Sequence, residues 1–251
     1  MIFFLIKLIL IIFFPAEHEI KYNIVASNIL SGCGVSFSTP ESKECIPAFG
    51  PNGPGYPFFL ASIKFFFDNV LFIKIFQIII YFISVLFIKK NIYEFTGSNK
   101  LSNTIFFILS ISPLTIAWAR FALPETMMIS FALFYFGLVI RSLSRQKFLI
   151  FEFSLILLLM TFFRVDSIFF IFPTIYLIFK LNKFKEGFKK LVILMVIFSL
   201  PWSIWTLRNI SKGAYLFPNI KEAYETISKN KFPIGYNKWV FSWANQQYNF
   251  A

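Results

Sequence analysis

A chain of 251 residues that is 57% apolar, 21% aromatic and only 14% charged cannot cover the surface of a soluble globule. Its mean hydropathy of +0.71 points the same way, to a protein solvated by lipid. The net charge of +12 does not describe a nucleic-acid surface, because the basic residues cluster in short stretches between apolar runs, where they act as topology signals. An AT-rich genome favours Phe, Ile, Lys and Asn codons, so the 38 Phe residues are weak evidence for an aromatic site.

The first apolar run, residues 1–14, carries Lys7 in its middle. It has the size of a signal-peptide core, yet Pro15-Ala16-Glu17 is a poor cleavage site. About 20 residues cross a hydrocarbon core, so this run reads as a thin, tilted span or as one whose start lies upstream. A long loop, residues 15–56, follows. In it Ile20, Ile24, Val25 and Ile29 recur at helical spacing, which predicts a short amphipathic helix on the membrane surface, stopped by Gly32 and Gly34. Glu17 and Glu19 at its start can take a proton from a bound hydroxyl. They can equally be dipole-complementing charges of a helix N-terminus, and spacing alone favours that plainer role. His18 is the only histidine, which excludes a histidine-rich metal site; no metal and no cofactor is expected. Cys33 and Cys45 share the loop, where a disulfide and two free thiols both remain open. Residues 50–61 predict a rigid Gly/Pro turn feeding a helix with Pro57 in its first turn. Lys64 and Asp68 are spaced as a helical pair.

Six further apolar runs follow: 70–88, 101–119, 121–140, 148–163, 167–179 and 191–207. None alternates with period two, so the expected fold is all-α: a polytopic membrane helical bundle of about seven transmembrane helices, with interfacial helices in the first outer loop. Lys74 and Glu152, within or beside these runs, are expected to snorkel or pair inside the bundle. The connections 89–100, 141–147 and 180–190 together hold eleven basic and two acidic residues. Those between them hold four basic and six acidic ones. The positive-inside rule then places the amino terminus and the three basic connections in the cytoplasm. The segment after Leu207 opposes this with six basic residues against two acidic. The organisation expected is a membrane core over 1–207, with an outer loop at 15–56, and the start of an outer-face segment at 208–251.

Three arginines, Arg120, Arg164 and Arg208, fall at the outer ends of spans. Pairs such as Arg120–Glu125 and Arg164–Asp166 account for two of them, while an outward arginine cluster also suits a lipid phosphate. The motifs occur in a telling order: Tyr22-x-x-Val-Ala-x-Asn-Ile-Leu-x-Gly-x-Gly after an acidic start, then Pro-Gly-Tyr56-Pro-x-x-Leu-Ala, Leu-Pro-Glu125-Thr, Phe-Arg164-Val-Asp and Pro-Trp-Ser-Ile-x-x-x-Arg208-Asn. In that order they resemble the GT-C membrane glycosyltransferases, close to the bacterial relatives of protein mannosyltransferases and aminoarabinose transferases, over nearly the whole chain.

The resemblance implies transfer of a sugar from a polyprenyl-phosphate donor to a glycan, lipid or protein acceptor on the outer face of the cytoplasmic membrane. By similarity Glu19, with Glu17 in reserve, is the general base, and Arg120, Arg164, Arg208 and Tyr56 hold the lipid phosphate and substrate. The family's aspartate stands four residues before the tyrosine, where this chain has His18. Either Glu19 substitutes one residue along, or the protein is inactive. The family also continues past the region in which this chain stops, so a fragment, or a partner that supplies the remainder, is expected. A non-catalytic membrane subunit and a lipid or sugar transporter are the competing classes. Charges gathered at span ends, rather than at the midplane, favour interfacial chemistry over transport.

Overall fold

The computed structural model describes residues 2–13, 20–36, 45 and 53–211. Among them the secondary structure is helical, with no strand. In chain order the helices are α1 (Ile2–Phe13), α2 (Ile20–Leu30), α3 (Gly55–Phe66), α4 (Val70–Thr96), α5 (Asn99–Ile111), α6 (Pro113–Ala119), α7 (Pro124–Arg145), α8 (Ile150–Phe163), α9 (Ile171–Leu181) and α10 (Phe184–Ser211). A 3-10 segment, Val165–Phe170, joins α8 to α9. The chain divides into two compact units, Met1–Pro201 and Trp202–Ala251, and each is described by itself.

Every apolar run expected to span falls on a helix, but their lengths differ. Helices α4, α7 and α10 are long and apolar enough to cross a membrane, and α8 is apolar but shorter. At 1.5 Å per residue the 12 residues of α1 reach only about 18 Å of a core about 30 Å thick. The bounds also move. Helix α4 continues past Ile88 because nothing breaks it before Gly97, whose φ of 66° closes the helix in the left-handed cap. Lys89, Lys90 and Glu94 therefore lie on its last turns rather than in a loop. The run 101–119 is divided at Ser112 (φ −50°, ψ 121°), since the following Pro113 keeps its predecessor out of helical geometry.

Helices α4 and α7 run side by side. Gly137 of α7 admits the ring of Phe87, because a Cβ there would come within 2.7 Å of it. Along α4 the buried polar side chains Gln77, Ser84 and Asn91 recur every seven residues. Ser84 and Asn91 donate back to the Tyr81 and Phe87 carbonyls, so that these polar groups are satisfied without water. At the far end Glu94 of α4 meets Arg145 of α7 at 3.8 Å, bringing two of the basic connections together. At the near end Gln77 reaches the carbonyl of Leu123, which precedes α7.

Helix α2 packs on α3, with Tyr22, Ala26 and Ile29 turned to the core. Of the predicted stripe, Ile29 packs on this core and Val25 is buried, while Tyr22 and Ala26 join because a neighbouring helix, rather than lipid alone, defines the buried side. Gly32 and Gly34 end the segment at φ values of 88° and 68°. Cys33 and Cys45 form a disulfide with Cα atoms 5.4 Å apart, which closes the alternative the sequence left open. Lys64 forms the expected pair with Asp68 at 3.4 Å. It also donates to Asn23 Oδ1 (2.8 Å) and Ser27 Oγ (2.9 Å) of α2. Lys64→Met is expected to speed amide hydrogen exchange in α2 by about tenfold while leaving the α4–α7 seam protected. Unchanged α2 exchange would show that the apolar contact alone holds the two helices. Lys74 is buried on α4 as expected. Glu152 is not inside the bundle: it is exposed on the first turn of α8, where the helix dipole favours an acid.

Candidate functional site at one end of the bundle

The loop that precedes α3 is pressed onto the end of α8. A Cβ at Gly53 would stand 2.0 Å from the Phe162 carbonyl oxygen, and one at Gly55 would stand 2.7 Å from the Phe163 ring. Only glycine allows that approach. It brings Tyr56, fully buried, to a ring-centroid distance of 5.9 Å from Phe163. Tyr22 of α2 meets Tyr56 edge-on at 5.1 Å. The Tyr56 hydroxyl accepts a hydrogen bond from Gln77 Nε2 (3.0 Å), which also donates to the Leu123 carbonyl (2.8 Å). Tyr56 thus joins α2, α3, α4, α8 and the start of α7.

Arg164 follows Phe163 directly and ends α8, because it adopts extended geometry (φ −146°, ψ 118°). Its Nε and Nη2 donate to the two carboxylate oxygens of Asp166 (3.3 and 3.2 Å), as the sequence suggested. Its Nη1 donates to Glu125 Oε1 at 3.3 Å. The expected Arg120–Glu125 pair is replaced by this one. Leu123 is extended (φ −123°, ψ 157°) and Pro124 starts α7, so Glu125 sits on the first turn of a new helix, facing the end of α8. The Glu125 side chain is 13% exposed and its Oε2 has no hydrogen-bond partner. With both carboxylates ionised, Arg164, Glu125 and Asp166 would carry a formal charge of −1.

The structure brings Tyr56 and Arg164 together. Arg120 caps α6, half-buried, three residues before the Leu123 carbonyl that Gln77 holds, and so belongs to the same end of the bundle. Arg208 belongs to the second unit, where its guanidinium lies 4.9 Å over the Trp205 ring and donates to Asn209 Oδ1. Glu17, His18 and Glu19 lie outside the described residues, as does the segment 212–251. Tyr22, on the first turn of α2, is three residues beyond Glu19. Gln77 is the residue the sequence reading missed. Its signal was present, as the one amide in the run 70–88, seven residues from Ser84 and fourteen from Asn91.

Comparison with family models, curated proteins and solved structures finds no match to this chain. The class that the fold defines is a protein that is all-helical among the described residues, three of whose described helices are long and apolar enough to cross a membrane.

Proposed function

We propose that this chain is a GT-C-type membrane glycosyltransferase that uses a polyprenyl-phosphate sugar. It crosses the cytoplasmic membrane seven times, with its amino terminus inside and the loop 15–56 outside. The observation that carries the reading is the convergence of Tyr22, Tyr56, Gln77, Glu125 and Arg164 at one end of the bundle. Five motifs far apart in sequence have four of their members there. The Cys33–Cys45 disulfide supports an outside loop, since such bonds persist in oxidising compartments.

In this reading Glu19, or Glu17 in reserve, takes the proton of the acceptor hydroxyl. The acceptor oxygen then bonds the anomeric carbon as the bond from that carbon to the phosphate oxygen breaks. Polyprenyl phosphate leaves with the electron pair and a guanidinium balances its charge. Arg164, held by Glu125 and Asp166, acts as a clamp that fixes the α7 and α8 termini, and Arg120 and Arg164 both stand as phosphate candidates at this end. By the resemblance alone, Arg208 stays a candidate phosphate ligand.

The experiment is transfer of radiolabel from a polyprenyl-phosphate sugar in membranes that contain the full-length gene product. Glu19→Gln is expected to lower transfer by about a hundredfold or more, with protein level unchanged. Full transfer by both Glu19→Gln and Glu17→Gln would reject the assigned base. No consumption of lipid-linked sugar by any form of the chain would reject the enzyme and leave a non-catalytic subunit.

A further inference from the structure

Helix α9 leads away from the 3-10 segment that follows Arg164 and stops at Leu181, where the chain turns into α10 at Phe184. Residues 180–190 at this corner hold Lys180, Lys183, Lys185, Lys189 and Lys190 against one acid, Glu186. Glu186 pairs with Lys189 at 3.3 Å, and Lys190 donates to Asn182 Oδ1. Lys180, Lys183 and Lys185 are exposed, and among the described residues no carboxylate pairs with them. The other two basic connections differ, because Glu94 stands 3.8 Å from both Lys90 and Arg145.

The placement of these charges works against the helix. Lys183 and Lys185 crowd the start of α10, where the dipole disfavours cations, and Lys185 shares a face with Lys189. An external anion would offset both costs. Nor is the corner an ordinary hydrated turn, because large rings are interleaved with the lysines. Phe184 is 77% exposed, Phe188 54% and Tyr176 66%. The Lys180 ammonium lies 5.8 Å from the centre of the Tyr176 ring, one turn earlier on α9. Phe184, Phe188, Val192 and Met195 follow one another at three- and four-residue spacing, all exposed. An apolar face therefore runs from among the lysines into a helix long enough to cross a membrane. Exposed rings with ammoniums beside them suit the boundary between acyl chains and headgroups, where each finds its own solvent.

We propose that the α9–α10 corner docks the anionic phospholipid headgroups of the leaflet it faces. The ammoniums of Lys180, Lys183 and Lys185 lie among the lipid phosphates, while Tyr176, Phe184 and Phe188 enter the acyl boundary beside them. A topology signal needs only a count of charges during insertion. This surface acts in the finished fold and distinguishes lipids by charge. It requires that α10 cross a membrane and does not depend on the glycosyltransferase reading.

The test is labelling of the purified full chain with an uncharged amine-reactive ester, in nanodiscs of phosphatidylcholine alone or mixed with phosphatidylglycerol. Phosphatidylglycerol is expected to slow labelling of Lys180, Lys183 and Lys185 by about fivefold or more. The exposed Lys100 and Lys147 of the other basic connections should slow by less than about twofold, and added salt should release the protection. Equal slowing at all five lysines would show a general surface charge and overturn the proposal. So would equal slowing by water-soluble glycerol phosphate in phosphatidylcholine discs, the result of a free-anion site. A second arm counts the phospholipids that the chain retains in detergent, by native mass spectrometry. Combining Lys180→Gln, Lys183→Gln and Lys185→Gln should weaken phosphatidylglycerol retention by about tenfold or more and leave phosphatidylcholine unchanged. Combining Lys180→Arg, Lys183→Arg and Lys185→Arg should keep it. Undiminished phosphatidylglycerol retention by the glutamine variant would also overturn the proposal. If that variant does not fold, labelling of the wild type still decides.

Discussion

Arg164→Met is expected to destabilise the bundle by about 3 kcal/mol, whereas Glu125→Gln should cost about 1 kcal/mol. The asymmetry follows from what each change leaves behind. Removing the guanidinium strands the Glu125 carboxylate, 13% exposed and with one oxygen already lacking a partner. Removing the Glu125 charge leaves Arg164 held by both oxygens of Asp166, which is well exposed to solvent. The double variant should recover part of the loss, because the stranded charge has gone; the coupling energy from the four-corner cycle should be about 1–2 kcal/mol. Thermal or denaturant unfolding in detergent reads all four proteins. Additive losses would show that Glu125 and Arg164 act independently. Arg164→Lys provides a separate readout of geometry, since an ammonium keeps the charge but cannot grip two carboxylates with a planar fork. It should fall between wild type and Arg164→Met.

Helix existence was legible in this sequence, and Gly32 with Gly34 announced the end of α2. The division between α5 and α6 was not, because by hydropathy alone 101–119 reads as one span although Pro113 breaks it. The end of α4 was misplaced because hydropathy falls at Lys89 while backbone geometry does not change until Gly97. Charge marks where a chain leaves lipid, and a helix can continue into the headgroups beyond that point. The site was harder to read because its bonds join residues far apart in sequence. Arg164 and Glu125 are 39 positions apart, and Lys64 is 41 from Asn23. Proximity along the chain suggested Arg120 for Glu125, and the extended residue at Leu123 defeats that pairing. Motif order picked out residues that share one end of the bundle. It named Tyr56 and Arg164 but not Gln77, whose amide joins Tyr56 to the start of α7.

Gly53→Ala is expected to lower stability by about 3 kcal/mol, or roughly 6–12 °C in the unfolding midpoint. The new methyl would stand 2.0 Å from the Phe162 carbonyl oxygen, 2.5 Å from its carbon and 2.9 Å from its Cα. Every one of these is a backbone atom of α8, so no side-chain rotation relieves the overlap. The turn must lift from α8, and Tyr56, two residues into α3, must lift with it. The Tyr56–Phe163 and Tyr56–Gln77 contacts are then strained together, and Tyr22 loses the ring it packs against. Gly97→Ala is the matched control. Gly97 has a φ of 66° but nothing within 4 Å of a Cβ, so its alanine suffers only the left-handed backbone penalty of about 1–2 kcal/mol. Gly97 also lies at the opposite end of α4. If the end of the bundle that holds Tyr56 is the catalytic face, Gly53→Ala should depress sugar transfer even below its own melting temperature, while Gly97→Ala should leave transfer near wild type. Equal losses of stability in the two variants would show that the loop before α3 does not rest on α8. A destabilised Gly53→Ala that still transfers sugar at the full rate would separate Tyr56 from the chemistry.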